Sequence, residues 1–322
     1  MKQWILCPLT AAIASMSQPL AAAPSYPSQP IRMIVPFAPG GTTDAVARVV
    51  GARLAEIMGQ PVVVDNRGGG GTIIGTEALA RSPADGYTIM LATPDFTANP
   101  SLRSRLPYDT LKDFTPIGLI GTYPMVMVAN AGQKLQSVAD LIDRAKAQPG
   151  QINFASAGNG SMPHLCGELF NSLAGVKLTH VPYKGNGPAL ADLLAGRVSV
   201  LFTGGPAVDA YIKSGKLTML GVSTAQRHAS LPDVPTLSES GVKGYDVTAW
   251  FGFLGPAGLP KDVVARLNAD IATVLRSSEV RDKLSSLGAE LGMGTPEAFG
   301  ALIRDEVDKW ARVVRTANIT VE

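Results

Sequence analysis

Two hydrophobic periods alternate along the first part of the chain. IRMIVPF (31–37), PVVVDNR (61–67) and YTIMLAT (87–93) are short apolar runs rich in β-branched residues, which predicts strands. Between them, TDAVARVVGARLAEIMG (43–59) and TIIGTEALAR (72–81) follow the longer spacing of helices, and the first is expected to turn Ala45, Val49, Ala52 and Ile57 inward. Strands and helices in strict alternation predict an α/β fold built from βαβ units, its sheet mostly parallel and flanked by helices. PDFTANPSLRSRLPYDTLKDFTP (94–116) interrupts the alternation and reads as irregular.

A second alternating set follows in the same style. SVADLIDRAKAQPG is a helix opening on Ser137 with Asp140 three residues on, a variant of the capping box. Strands are expected in QINFASA, KLTHVPY, VSVLFTGG and KLTMLGVST, and helices in SMPHLCGELFNSLAG, PALADLLAGR and AVDAYIKSG. Two long apolar runs broken by glycine and proline, FTPIGLIGTYPMVMVANAG (114–132) and VTAWFGFLGPAG (247–258), read as strands that cross between two halves. LPKDVVARLNADIATVLRS is a further helix. The last, TPEAFGALIRDEVDKWARVV, has Thr295 as N-cap and buries Phe299, Leu302, Ile303, Val307, Trp310 and Val314.

Two crossings make one half discontinuous. The expected organisation is a first lobe of residues 24–124 plus 246–322, a second lobe of 125–245 inserted into it, and a cleft between them. With 322 residues, both lobes can hold a core.

The chemistry is expected where strands hand over to helices. IVPFAPGGTTDAVARVV places Gly40 and Gly41 just before a helix N-terminus, and NFASAGNGSMPHLCGELF places Gly158 and Gly160 before another, with Ser161 a natural N-cap. Ligands of open α/β sheets bind beyond the carboxyl ends of the strands, where helix N-termini offer free N–H groups and a positive dipole end. Tight turns alone account for either loop; a small anion held between the two accounts better for the pair. Four or five hydrogen bonds to a charged group, at about 1.5–3 kcal/mol each, leave room for micromolar binding after ordering costs. GxxxxGK[ST] and GxGxxG are absent, which argues against a nucleotide phosphate. NRGGGGT (66–72) lacks partner residues at a telling spacing and reads as a flexible surface or hinge-side turn.

Composition narrows the class. The chain is 46% apolar and 17% charged, the balance of a folded globular protein. Lys2, the apolar run WILCPLTAAIASM and the small residues of PLAAAPS form the three parts of an export signal, with cleavage near Ala22 or Ala23. Its loss removes Lys2 and no acidic residue, so 28 basic residues become 27 against 26 acidic, a net charge of +1 that suits no nucleic-acid partner. It also removes Cys7, so that Cys166 stands without a disulfide partner and reads as a small buried residue. No metal-ligand spacing is present and no cofactor is expected.

VPFAPGGTTDAVAR, DNRGGGGTIIG, SPADGYT, LPYDTLKDF, ASAGNGSMPHLCGELF, HVPYKGNGPALADLLAGRV and LPDVPTLSESG, in this order, resemble the successive signatures of the Bug family, the periplasmic solute receptors of tripartite tricarboxylate transporters. The resemblance implies a two-lobed periplasmic binding protein, a type II-like Venus flytrap acting as a monomer. It also implies a small carboxylate ligand and two membrane partners, a large and a small permease subunit. It assigns ligand contacts to Phe37, Pro39, Gly40, Gly41, Thr42 and Asp44 in the first loop, and to Ser156, Gly158, Gly160, Ser161 and His164 in the second. The chain departs from the family pattern at TPDFTANP, at Thr203–Gly204 and at SMPH, so Thr93, Phe96, Thr203 and Gly204 are expected to line the distal pocket and leave the carboxylate, aliphatic or aromatic, unidentified.

Single residues admit other readings. A carboxylate beside an anion site would repel the ligand, so Asp44 is expected to organise the loop or hold water. Asp95 either recognises an amino group or faces solvent. Ser161 and His164, three residues apart, allow an exported Ser/His hydrolase as the rival function, although GxSxG and a third triad member are missing. A carboxylate sensor docking on a signalling protein is a further alternative.

Overall fold

The computed structural model describes residues 26–316 and Ile319; the expected export signal lies outside the described residues. Strands β1 (Ile31–Val35), β2 (Val62–Asn66) and β3 (Thr88–Ala92) form a parallel set with helices α1 (Thr42–Met58) and α2 (Ile73–Ala80) between them. The section read as irregular contains a helix, α3 (Asp95–Leu102). Pro100 lies inside it and nearly every side chain of it is buried, so it shows no amphipathic stripe to betray it.

Strand β4 (Phe114–Asn130) then runs unbroken through both halves, as its apolar run predicted. Helices α4 (Val138–Ala147), α5 (Met162–Ala174), α6 (Asn186–Leu194) and α7 (Asp209–Lys213) alternate with β5 (Asn153–Ser156), β6 (Thr179–Pro182), β7 (Val200–Gly204) and β8 (Leu217–Val222). The chain returns through β9 (Thr248–Pro256), helices α8 (Lys261–Arg276) and α9 (Ser278–Ser286), the short β10 (Glu290–Leu291) and α10 (Pro296–Thr316). The sheet order is β2-β1-β3-β9-β4-β7-β5-β6, with β8 and β10 also pairing with β4.

The return differs from its expected form. Thr248–Pro256 is antiparallel to Pro124–Phe114 and to β3, so it lies wholly within the first half. The crossing back is made just before it, at Ser223 and Val247. The buried Ser223 hydroxyl accepts from Met125 N at 3.1 Å and donates to the Val247 carbonyl, while the Val247 N–H donates to Ser223 O at 2.8 Å.

Apolar periodicity located most of the core. Along α10, Phe299 and Ile303 pack with Trp250 and Leu254 of the first half, whereas Trp310 and Val314 pack with Phe154, Phe170 and Phe202 of the second. One helix therefore serves both lobes. On α1 the inward face is Val46, Ala47, Val50, Leu54 and Met58, one position round from the expected stripe, and Ala52 is exposed. Gly51 occupies that face, bringing the helix against Val62 and Met33, and a glycine adds no apolar signal to the pattern. Ser137 caps α4 through the Asp140 N–H at 3.1 Å, and Thr295 caps α10 through Ala298 N, both as the sequence implied.

Candidate functional site

The segments after β2 and β3 meet the loop after β5: a Cβ on Gly71 would lie 3.9 Å from Asn159 O, and Asp95 accepts from Met162 N. In the first loop, Pro39, Gly40, Gly41 and Thr42 are exposed at the N-terminus of α1, which no side chain caps. Gly40 sits at φ +87°, a left-handed conformation that glycine adopts without a steric cost. A side chain built on Gly40 or Gly41 would meet nothing within 4 Å, so the space beside both is open to an approaching group.

Asp44 turns its charge into the loop. Its Oδ2 accepts from Gly40 N and from Arg48 Nε, each at 3.0 Å, and its Oδ1 accepts from Asn66 Nδ2 at 3.0 Å. Asn66 also donates to Phe37 O at 3.2 Å, tying the start of the loop to the same carboxylate. Burial opposes ionisation of Asp44, but the hydrogen bonds from Arg48, Gly40 and Asn66 together outweigh it and hold the carboxyl below its ordinary range. The charge is matched locally, as expected for a residue that organises the loop, and an anion beside Gly41 does not meet it unscreened.

NRGGGGT takes a more central place than its composition implied. A Cβ on Gly68 would stand 2.8 Å from Ala38 N, so this turn lies directly under the first loop. Gly69, Gly70, Gly71 and Thr72 all have positive φ, and Asn99 of α3 donates to Gly71 O at 2.9 Å and to Thr72 Oγ1 at 3.1 Å. A Cβ on Gly71 would lie 3.9 Å from Asn159 O, in the second loop. The turn read as a surface feature links the two loops.

The second loop is held from within. Ser161 stands at the N-cap position of α5, yet its hydroxyl donates back to Gly158 O at 2.7 Å instead of capping the helix. Ser156 is fully buried, accepts from Gly158 N at 3.1 Å, and lies 2.6 Å from His180 Nε2. His164 Nδ1 accepts from Gly160 N at 3.1 Å, which leaves the ring proton on Nε2, 3.8 Å from Glu168 Oε1. Burial, and then the neighbouring His180, pull the His164 pKa down to about 3; burial pulls His180 to about 4. Both rings are neutral at physiological pH.

That geometry overturns the hydrolase alternative. Ser161 and His164 each spend their bonding atom on loop backbone, not on each other, and an imidazole with so low a pKa is a poor general base near neutrality. Cys166 is buried in the core of the second half, its thiol pushed up to about 12 by burial, which removes it as a nucleophile.

The distal residues divide. Thr93 is buried and donates to Asp95 Oδ2 at 2.9 Å. Phe96, expected in the pocket, is 1% exposed and packs edge-on against Phe114 in the first half's core; α3, which was not foreseen, turns it inward. Thr203 is buried at the end of β7, while the adjoining Gly204 is half-exposed with open space beside its Cα. Asp95 is neither solvent-facing nor free: its Oδ1 accepts from Met162 N at 3.1 Å, at the first residue of α5.

Two α/β lobes joined through shared strands, with glycine loops at their facing edges, have the architecture of a solute-binding receptor of the periplasmic type. The chain belongs to the tripartite tricarboxylate transporter receptor family, whose model matches residues 46–319. It is 40% identical over 306 residues to the BugT protein of Bordetella pertussis, covering 94% of each chain. Among solved structures, R. palustris Rpa4515 with adipate superposes with a TM-score of 0.85 at 38% identity, over 92% of this chain and 99% of that one. The periplasmic binding protein BugD gives 0.84 at 37% identity, again over 92% and 99%. As in those relatives, the function is solute binding and not catalysis. No helix among the described residues is long and apolar enough to cross a membrane.

Proposed function

We propose that this chain captures a small organic carboxylate between its lobes outside the cytoplasm and delivers it to a membrane permease. The observation that carries the proposal is the first loop. Gly41 lies bare at an uncapped helix N-terminus, while the loop's own carboxylate, Asp44, is already satisfied by Arg48, Gly40 and Asn66. The ligand carboxylate is received by the N–H groups of Gly41 and Thr42 and by the Thr42 hydroxyl, with Phe37 and Pro39 at its flank. Across the cleft, Gly158, Gly160 and Ser161 close over the ligand, with Gly204 at the far wall. Adipate in the Rpa4515 structure supports the ligand class.

The lobes in this proposal are 24–124 with 246–322, and 125–245, hinged at β4 and at the Ser223–Val247 return. Residues 1–23 are cleaved on export, the receptor acts as a monomer in the periplasm, and a large and a small permease subunit take up its cargo. A thermal-shift screen of the mature protein against aliphatic and aromatic carboxylates tests it. Ligand at 100 times Kd stabilises by about 2.7 kcal/mol, a shift of a few degrees. No shift with any carboxylate, in protein first unfolded and refolded to strip co-purified ligand, would count against the proposal.

A further inference from the structure

The N-terminus of α5 is the second place in the cleft where an anion would be welcome, and it is already taken. Ser161, the residue placed to cap it, bonds elsewhere. The cap comes instead from the other lobe: Asp95, 67 residues away in sequence, sets Oδ1 3.1 Å from Met162 N. Its remaining oxygen accepts from Thr93, and the residue is only 6% exposed. Thr93 follows β3, and β3 lies beside β1 in the sheet, so Asp95 and the first loop rise from adjacent strand ends. Burial pushes the Asp95 carboxyl above its ordinary range, against the hydrogen bonds from Thr93, from its own N–H and from Met162 N, and among the described residues no Lys or Arg forms an ion pair with it.

The geometry points to Asp95 as the residue that sets how many carboxylates the ligand carries. By filling the α5 N-terminus from the opposite lobe, it leaves the first loop as the anion-binding element of the cleft, so this receptor takes monocarboxylates with an uncharged distal end. The inference rests on the proposed receptor function and specifies its substrate. A dicarboxylate would bring its second charge against a buried carboxyl already seated on the helix end, with no free N–H at Met162 to receive it in a poorly solvated space. The preference is therefore opposite to what the Rpa4515 complex, with its adipate, would lead one to assume.

Matched probes of one chain length separate the possibilities: hexanoate, adipate and 6-aminohexanoate, with benzoate and terephthalate as an aromatic pair. Binding to the mature protein is measured by titration calorimetry at pH 7.5. Wild type is expected to bind each monoacid at least tenfold more tightly than its diacid. Asp95→Ala frees the α5 N-terminus and should move that ratio at least tenfold towards the diacid. Asp95→Asn, which keeps an acceptor for Met162 N and so spares the fold, should move it part of the way. A wild-type preference for the diacid, or an unchanged ratio in Asp95→Ala, overturns the inference while leaving the receptor function standing. Preference for 6-aminohexanoate also overturns it, since Asp95 would then be an ammonium acceptor. Failure of every probe to bind wild type and both variants would instead strike the receptor function itself, and this inference with it.

Discussion

The imidazole rings of His164 and His180 stack with their centroids 3.9 Å apart, and Phe154 continues the stack at 5.0 Å from His180. Two neutral histidines brought face to face behind a ligand loop carry a penalty that appears only on acidification. Their pKa values fall from the ordinary 6.5 to about 3 and about 4 in the folded protein, so below pH 6.5 the unfolded chain binds the protons and the folded one refuses them. Stability is thus complete above about pH 6.5 and declines as pH falls from there towards 4 and below, by up to about 1.4 kcal/mol per pH unit for each ring. The half-exposed His180 contributes less, since solvent screens it. Urea unfolding between pH 7.5 and 5 should show this slope, and His180→Gln should reduce it. A wild-type midpoint that stays level over that interval would contradict it.

Gly41→Val separates binding from folding. At φ −86° with open space around it, Gly41 accepts a side chain without strain, so the melting temperature should stay within a degree or two of wild type. Carboxylate affinity should nevertheless drop at least tenfold, because the new methyls occupy the approach to the helix N-terminus. Calorimetric titration alongside a circular-dichroism melt reads both; near-native affinity would remove Gly41 from the site.

Asp44→Ala acts on the loop from inside. It strips three donors, Gly40 N, Arg48 and Asn66, of their common acceptor, and the half-buried hydrogen bonds lost are worth about 1–3 kcal/mol in all. Both stability and affinity should fall. An affinity gain, detected in the same titration, would mean that the carboxylate repels the ligand after all.

Gly68→Ala tests a residue that touches no ligand. Its methyl would press on the Ala38 N–H, against backbone that cannot swing away, so the first loop must shift. Weaker binding is expected together with a loss of about 1–3 kcal/mol in denaturant unfolding, the usual range for overpacking. Unaltered affinity would show that the glycine turn does not support the loop.

Ser223→Ala removes the hydroxyl that joins Met125 N to the Val247 carbonyl at the return between the lobes. The loss should be about 1–3 kcal/mol in denaturant unfolding, since both backbone partners are left buried without it. A smaller loss would mean that other groups rescue them.

Much of this was written in the sequence, and the exceptions have physical causes. The strands around Met33 and Leu91, the capped helices at Ser137 and Thr295, the crossing strand and both glycine loops follow from hydrophobic period and turn chemistry. Helix α3 did not, because a short helix buried on nearly every side, with Pro100 inside it, has no periodicity to read. That one omission explains two others: Phe96 was assigned to the pocket and the engagement of Asp95 with Met162 went unseen. His164 and His180, sixteen positions apart, meet only through the placement of α5 over β6, a pairing that linear spacing cannot express. The role of the glycine turn was missed for a similar reason, since its neighbours Ala38 and Asn159 belong to different lobes.

The continuity of β4 has a consequence for the order in which the molecule is made. The first half cannot complete its sheet early, because β3 and the first part of β4 both pair with β9, more than a hundred residues further along. The second half has all its strands once β8 is available, and then needs Leu237, Val242, Tyr245 and the end of α10 to complete its core. During synthesis from the N-terminus, the lobe that begins the chain is therefore the last to finish. Until then the open flank of β3 is the surface that a chaperone would have to shield, and a chain truncated before Thr248 would expose it permanently.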